Sequence, residues 1–213
     1  MKNLIIIGVG GFAREVFWHA KKSLGFGVDW HIKGFLDGDV KLAPEDYELL
    51  PEKVLGDVDT YEISADDVFT CAVGSPKARK ILVEKILSRG GNFINIISEL
   101  AEIVPTAKVG RGVIISPFVG ISERAQIGDF VALNAQTIIG HDARIGNFSC
   151  AMPHVTVSGN VQIGAEVFVG SGAVLLPKAK IGDGATVGAG CVVLKKVRVG
   201  ATVFGNPAIE FSD

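Results

Sequence analysis

The chain has 213 residues, of which 48% are hydrophobic, and a net charge of −2 at pH 7. This length allows one large or two small domains, and the near-neutral charge excludes a general affinity for nucleic acid or anionic membranes. Three scattered cysteines, no signal-peptide pattern and no apolar run long enough to span a bilayer predict a cytoplasmic protein without disulfides.

Predicted strands and helices alternate over the first 98 residues. The predicted strands are Asn3–Gly8, Trp30–Leu36, Val68–Val73 and Phe93–Ile97. The predicted helices are Ala13–Leu24 and Lys77–Arg89, and the acidic stretch 38–62 is predicted to be a loop region. This alternation predicts a small, parallel, Rossmann-like α/β domain at residues 1–98.

A glycine-rich turn joins the first strand to the first helix. Residues 8–13 read GVGGFA and fit the pattern G-x-G-x-x-A, so the helix start would direct backbone N–H groups at a phosphate. Asp37 ends the second strand, where a carboxylate accepts hydrogen bonds from a ribose or a base edge. We therefore predict that Gly8, Gly10, Gly11 and Asp37 bind a phosphate or a nucleotide; a dinucleotide cofactor fits less well. The alternative is that the glycines only permit a tight turn.

The second half of the chain repeats every six residues. Of the 17 positions from Ile103 to Val199 in steps of six, 16 are Ile, Val or Leu, and only Ala151 differs. The period predicts an all-β parallel solenoid at residues 99–213. Three repeats make one turn, so residues 18 apart would stack at roughly 4.8 Å. An antiparallel sandwich, the alternative, needs no period of six.

Stacking by 18 places polar residues in columns at the corners of this solenoid. One predicted column contains Glu123, His141, Gly159, Pro177 and Lys195. The next contains Arg124, Asp142, Asn160, Lys178 and Lys196. His141 would therefore face outward beside the gap that Gly159 leaves, near carboxylates that favour its basic, fixed tautomer. The N–H group of Gly159 would be able to stabilise an oxyanion. The alternative is a histidine merely tolerated at an exposed corner.

Nearly the whole chain resembles the bacterial nucleotide-sugar acetyltransferases grouped with sialic acid O-acetyltransferases. The matching motifs are GVGGFARE at 8–15, GFLD at 34–37, IGHDARIG at 139–146 and GNPA at 205–208. The resemblance implies a left-handed β-helix, although general chirality rules favour the right hand. It also implies a homotrimer with active sites between neighbouring coils, acetyl-CoA along the helix and the nucleotide in the N-terminal domain.

The family's functional residues are carried over by position. The resemblance makes His141 the general base, Asp142 its acidic partner and Gly159 the oxyanion contact. Cys150 stands where the family motif has its second histidine, at a position that contacts acetyl-CoA. Basic residues near the last turns are expected to meet the CoA phosphates, or else to form a solvated surface; they are Lys178, Lys180, Lys195, Lys196 and Arg198.

These features predict an acetyl-CoA-dependent N-acetyltransferase that modifies the amino group of a nucleotide-linked amino sugar, of the 4-amino-4,6-dideoxy type by resemblance. We expect direct transfer without a metal, a covalent route through Cys150 being the alternative. O-acetylation of a sugar hydroxyl and a non-catalytic sugar-nucleotide-binding scaffold remain open. A zinc hydratase on such a coil needs about three histidine ligands, and only His141 and His154 lie in the repeats.

Overall fold

The computed structural model describes residues 1–38 and 43–211. Its N-terminal part is a five-stranded, fully parallel sheet with strand order β3-β2-β1-β4-β5. The elements are β1 (Lys2–Ile7), α1 (Gly11–Ala20), β2 (Trp30–Asp37), α2 (Pro44–Tyr47), β3 (Val54–Asp57), β4 (Asp67–Cys71), α3 (Pro76–Leu87) and β5 (Asn92–Phe93).

Burial explains why these segments form the sheet and its helices. Leu4 to Ile7 are fully buried, as expected for a central strand covered on both faces. Helix α3 begins where sequence signals place it: the Ser75 hydroxyl accepts a hydrogen bond from the Ala78 N–H at 3.4 Å, and Pro76 follows the cap. The predicted α/β fold of this part is confirmed.

Two details of the predicted elements differ. Helix α2 and strand β3 lie in the stretch predicted to be loop. Helix α2 is a single turn of four residues, and β3 is a short, largely exposed edge strand that carries little apolar signal. Residues 39–42 of that stretch lie outside the described residues. The predicted strand Phe93–Ile97 is divided. Its first part is β5 of the sheet, whereas Ile96 and Ile97 form β6, which pairs with the solenoid.

From residue 96 onwards the chain winds into a parallel β-helix with three faces. The covered face consists of β6 (Ile96–Ile97), β9 (Ile114–Ile115), β12 (Ala132–Leu133), β15 (Cys150–Ala151), β18 (Phe168–Val169), β21 (Thr186–Val187) and β24 (Thr202–Phe204). The apolar face consists of β7 (Glu102–Ile103), β10 (Gly120–Ile121), β13 (Ile138–Ile139), β16 (Thr156–Val157), β19 (Val174–Leu175) and β22 (Val192–Val193). The basic face consists of β8 (Lys108–Val109), β11 (Gln126–Ile127), β14 (Arg144–Ile145), β17 (Gln162–Ile163), β20 (Lys180–Ile181) and β23 (Lys196–Val197). A last strand, β25 (Ile209–Glu210), pairs antiparallel with β24.

The aliphatic and small residues of the hexapeptide repeat are buried, as the sequence predicts. The reason for the glycine in the repeat differs from the predicted one. Aliphatic residues such as Ile139 and small ones such as Ala143 are fully buried. The left-handed backbone conformation, however, falls on the fourth residue of the repeat, for example Asp142 at φ 60°. The glycine after the aliphatic residue is required for clearance instead: a Cβ on Gly140 would lie 2.7 Å from the nitrogen of Gly159 in the next turn.

The register predicted near the end of the solenoid is wrong. Lys180 pairs with Lys196, so this turn is two residues shorter than the 18 of the others. Val197 therefore points inward, and Val199, which the period of six places inside, is 75% exposed. Spacing by 18 predicts that Lys196 stacks above Lys178, and the short turn makes this prediction wrong.

The α/β part packs on the covered face of the solenoid. Val16 and Phe17 of α1 share one buried cluster with the outward side chains of that face, including Ile114, Ala132 and Cys150. Because those residues are spaced by 18, an apolar outward column was the sequence signal for this packing.

The division into domains at 1–98 and 99–213 stays a prediction. In the described residues, no helix has the length and hydropathy needed to cross a membrane.

Candidate active site

His141 and Asp142 lie at the corner between the apolar face and the basic face. His141 is the third residue of its repeat and Asp142 the fourth, in the left-handed region where aspartate is better tolerated than most residues. The His141 side chain is 62% exposed. The structure therefore places the imidazole outside the coil.

A hydrogen bond fixes the orientation of this imidazole. Its Nδ1 lies 2.9 Å from Oδ2 of Asp142. An ionised carboxylate accepts a hydrogen bond, so Nδ1 carries the proton and Nε2 is left with its lone pair. Nε2 is thus the atom that is available to accept a proton from a substrate.

Arg124, in the turn below, completes a chain of three hydrogen-bonded side chains. Its Nε and one terminal nitrogen lie 2.7 and 3.0 Å from the two carboxylate oxygens of Asp142. The Arg124 guanidinium, with a smaller contribution from His141, holds the pKa of Asp142 well below its usual range. The predicted columns place Arg124 beneath Asp142, but this sequence reasoning assigned it no role.

Gly159 leaves room for the imidazole in the turn above. A Cβ at this position would lie 2.5 Å from Nε2 of His141 and 2.7 Å from its Cε1, closer than any normal contact. Within the described chain, the N–H group of Gly159 has no hydrogen-bond acceptor. His141, Asp142 and Gly159 therefore meet at one corner, with a free donor beside the free Nε2.

Two shallow grooves lie on the basic face beside this corner. The first has a volume of about 640 Å³ and is lined by Arg124, Gln126, Asp142, Arg144, Asn160, Gln162, Lys178 and Lys180. The second, of about 460 Å³, extends the first past Lys180 to Lys196 and Arg198. Lys178 and Lys196 thus line a groove, as expected of residues that meet anionic groups. Lys195 is exposed and lines neither groove.

The residues predicted to bind the nucleotide surround a separate pocket of about 220 Å³ in the α/β part. Gly8, Gly10, Gly11 and Asp37 all line it, together with residues of the β4–α3 connection. Gly8 has φ +111°, a conformation that favours glycine, and a Cβ on Gly10 would meet no atom within 4 Å. The start of α1 is therefore open to close approach by a phosphate.

Asp37 has one oxygen in use and one without a partner. Its Oδ2 accepts a hydrogen bond from the Tyr47 hydroxyl at 2.5 Å. Its Oδ1 is buried and has no hydrogen-bond partner among the described residues. A buried carboxylate oxygen normally has a partner, so a ligand donor such as a ribose hydroxyl fits this position. No sequence pattern indicated a role for Tyr47.

Cys150 is buried and lies on the covered face, whereas His141 is exposed at the corner between the other two faces. Its side chain is 1% exposed and packs on the covered face against the α/β part. Burial raises the pKa of its thiol, which disfavours the thiolate needed for a nucleophile. The prediction that Cys150 contacts acetyl-CoA is therefore not supported by the structure, and Cys150 does not form part of the site proposed below.

The cysteines give a first testable prediction. All three are buried, and burial raises the pKa of Cys71 to about 12. We expect the native protein to react with a thiol reagent such as DTNB far more slowly than the unfolded chain, which should release three equivalents. Rapid reaction of one thiol in the native protein, with loss of activity, would contradict this and favour a covalent route.

A metal centre would require clustered ligands. In residues 1–38 and 43–211, no group of three or more His, Cys, Asp or Glu side chains is arranged to hold a metal ion.

Comparisons with known proteins place the chain in a class. Residues 3–86 match the PglD N-terminal domain family, and residues 160–195 match the bacterial transferase hexapeptide (six repeats) family. The chain is therefore similar to the hexapeptide-repeat, left-handed β-helix acyltransferases, which confirms the resemblance inferred from its motifs. A search of curated protein sequences gave no match.

Solved structures agree over the full length. A perosamine N-acetyltransferase from Caulobacter crescentus, in complex with CoA and GDP-perosamine, is 26% identical, with 100% of this chain and 98% of that chain covered and a TM-score of 0.88. The acetyltransferase domain of PglB from Neisseria gonorrhoeae, in complex with acetyl coenzyme A, is 25% identical, with 99% of both chains covered and a TM-score of 0.85. WeeI from Acinetobacter baumannii is 26% identical, with 99% and 100% covered and a TM-score of 0.86.

Proposed function

We propose that this protein transfers the acetyl group of acetyl-CoA to the amino group of a nucleotide-linked amino sugar, with His141 as the general base. The observation that carries the proposal is the free Nε2 of His141, which faces Gly159 while Asp142 holds Nδ1. The full-length likeness to an enzyme solved with CoA and GDP-perosamine supports the substrate class. Two of that enzyme's structures are variants in which a histidine is replaced by asparagine or alanine.

The proposed reaction needs one proton acceptor and one oxyanion donor. As the sugar amine attacks the thioester carbonyl, Nε2 of His141 takes the proton of the amine, a contribution of about 10²–10⁴-fold in rate. The ionised Asp142 stabilises the imidazolium that forms, and the Gly159 N–H is placed to donate to the developing oxyanion. The attack forms the C–N bond and a tetrahedral intermediate. Collapse of this intermediate breaks the C–S bond, and the imidazolium gives its proton to the leaving thiolate.

The residues present suit both substrates. The two grooves on the basic face offer several cations to the phosphates of acetyl-CoA. The pocket around Gly10 and Asp37 offers a helix N-terminus for a diphosphate and a carboxylate oxygen for a hydroxyl or imino donor. Each pocket therefore matches one of the two substrates.

One assay tests this function. Release of free CoA thiol is followed with acetyl-CoA and a panel of nucleotide sugars carrying either an amino group or a hydroxyl at the same carbon. We expect turnover with at least one amino sugar and far slower turnover with its hydroxyl analogue. Turnover only with the hydroxyl compounds would make the protein an O-acetyltransferase. Nucleotide-sugar binding without thiol release would make it a scaffold.

We also propose that three copies associate through the apolar face. Its central outward residues, Gly120, Ile138, Thr156, Val174 and Val192, carry no charge, and Ile138 is 45% exposed. Because this face adjoins the His141 corner, a neighbour packed on it would border the site. Light scattering is expected to give about 67 kDa, three times the 22.4 kDa chain; a monomer mass would contradict the proposal.

A further inference from the structure

Arg79 is a buried cation that the proposed reaction does not use. It lies in the first half of α3 and is 1% exposed. Across the described residues, it forms no ion pair with a carboxylate. The oxygens that accept its hydrogen bonds are all backbone carbonyl oxygens, and the Cys150 thiol lies beside the guanidinium. A buried charge is retained only where its partners compensate for desolvation, so this arrangement calls for an explanation.

On one side, Arg79 holds the rim of the nucleotide pocket. One terminal nitrogen donates to the carbonyl of Val73 at 2.8 Å and approaches that of Gly74 at 3.4 Å. Val73 and Gly74 line the pocket, and so do Ala78 and Leu82 of the same helix. The guanidinium therefore fixes the loop and the helix that together form one wall of this pocket.

On the other side, Arg79 holds the β-helix. Its Nε donates to the carbonyl of Phe130 at 3.0 Å, and its other terminal nitrogen donates to those of Phe148 and Ser149 at 2.5 and 3.1 Å. Phe130 and Phe148 stack in consecutive turns, with ring centroids 5.0 Å apart. Phe148 occupies the next corner after Asp142 on the same turn, so the contact reaches the turn that carries His141.

We propose that Arg79 is a positioning residue that sets the place of the nucleotide pocket relative to His141. This inference rests on the proposed function, because it assumes that the pocket binds the nucleotide of the acceptor sugar. The planar guanidinium donates to both sides at once, which a lysine ammonium with its single nitrogen is poorly suited to do. Through these hydrogen bonds, Arg79 connects the wall of the nucleotide pocket to the β-helix turn that carries His141.

The adjacent residue provides a matched control. Lys80 forms an ion pair of 2.6 Å with Glu166, one turn above Phe148, and so joins α3 to the same column of corners. It does not line the nucleotide pocket. Replacing Lys80 therefore weakens the same interface without releasing the pocket wall.

The test compares Arg79→Lys, Arg79→Met and Lys80→Met with the wild-type protein. Binding of GDP and of UDP is measured by calorimetry at a temperature at which circular dichroism shows each variant folded. For the nucleotide that the wild type binds, we expect the Kd to rise about tenfold in Arg79→Met and less in Arg79→Lys, with Lys80→Met within about twofold. In turnover assays, KM for acetyl-CoA should stay near its wild-type value in all three.

A measurement on the wild-type protein keeps the inference open to refutation even if Arg79 variants fail to fold. Saturating nucleotide should slow amide hydrogen exchange in the pocket and also at residues 148–149. Protection confined to the pocket, or an unchanged Kd in a folded Arg79→Met, would overturn the positioning role and leave the proposed function intact. A wild-type protein that binds no nucleoside diphosphate, whatever its base, would overturn both.

Discussion

Replacing His141 with asparagine is expected to lower kcat by about 10²–10⁴-fold, the range that general base catalysis supplies. Asparagine has no basic nitrogen, whereas the oxyanion donor and both binding pockets stay in place. The KM values should therefore change little. Because the His141 side chain is 62% exposed, the melting temperature should also stay within a few degrees. Steady-state kinetics and a thermal melt measure both quantities.

His154→Asn is the matched control for this variant. His154 is likewise an exposed histidine at a corner, at φ 62°, a conformation that asparagine tolerates. It lies on a different corner from His141, so the control should keep wild-type kcat. If His141→Asn retains kcat within threefold, or if both variants lose activity equally, the assignment of the base is wrong.

The pH dependence of the wild-type enzyme should identify the same group. A protonated imidazole accepts no further proton, so activity should fall at acid pH as the general base becomes protonated. The Arg124 guanidinium keeps the pKa of Asp142 well below its usual range, so Asp142 stays ionised throughout this fall. We therefore expect a single protonation on the acid limb of kcat/KM, and two would indicate that Asp142 titrates with it.

The sequence was informative wherever the fold repeats a short pattern. The period of six predicts the inward aliphatic residues, and spacing by 18 brings His141 beside Gly159 and Arg124 below Asp142. Both are consequences of a strictly regular coil. The arithmetic fails where regularity ends, at the short turn after Val193 that takes Lys196 out of the predicted column.

Sequence patterns did not predict which individual residues of the α/β part and the β-helix contact each other. Cys150 occupies an outward position in its repeat, yet it is buried because the α/β part covers that face. Arg79 looks like an ordinary helical arginine, and its role depends on carbonyls that lie 51 to 70 residues away. Such pairings are set by how the domain docks, for which the apolar column of the covered face is the one local signal.

Substituting alanine for Gly159 should inactivate the enzyme almost as far as removing His141 itself. The added Cβ would lie 2.5 Å from Nε2, so the imidazole has to leave the gap. Gly159 has no left-handed φ, hence alanine adds no backbone strain there. The exposed ring moves aside at little cost, and a folded protein with a displaced base should result. We expect kcat to fall by roughly 10²-fold or more.

A double-mutant cycle separates this steric effect from general damage. In the His141→Asn background, Gly159→Ala should cost almost no further activity, because no imidazole remains to be displaced. Gly172→Asn adds a side chain at a corner with open space around it and should leave kcat unchanged. Additive losses in the double variant would instead mean that the added methyl group acts independently of His141, through substrate access, and that the gap at Gly159 is not needed to keep the imidazole in place.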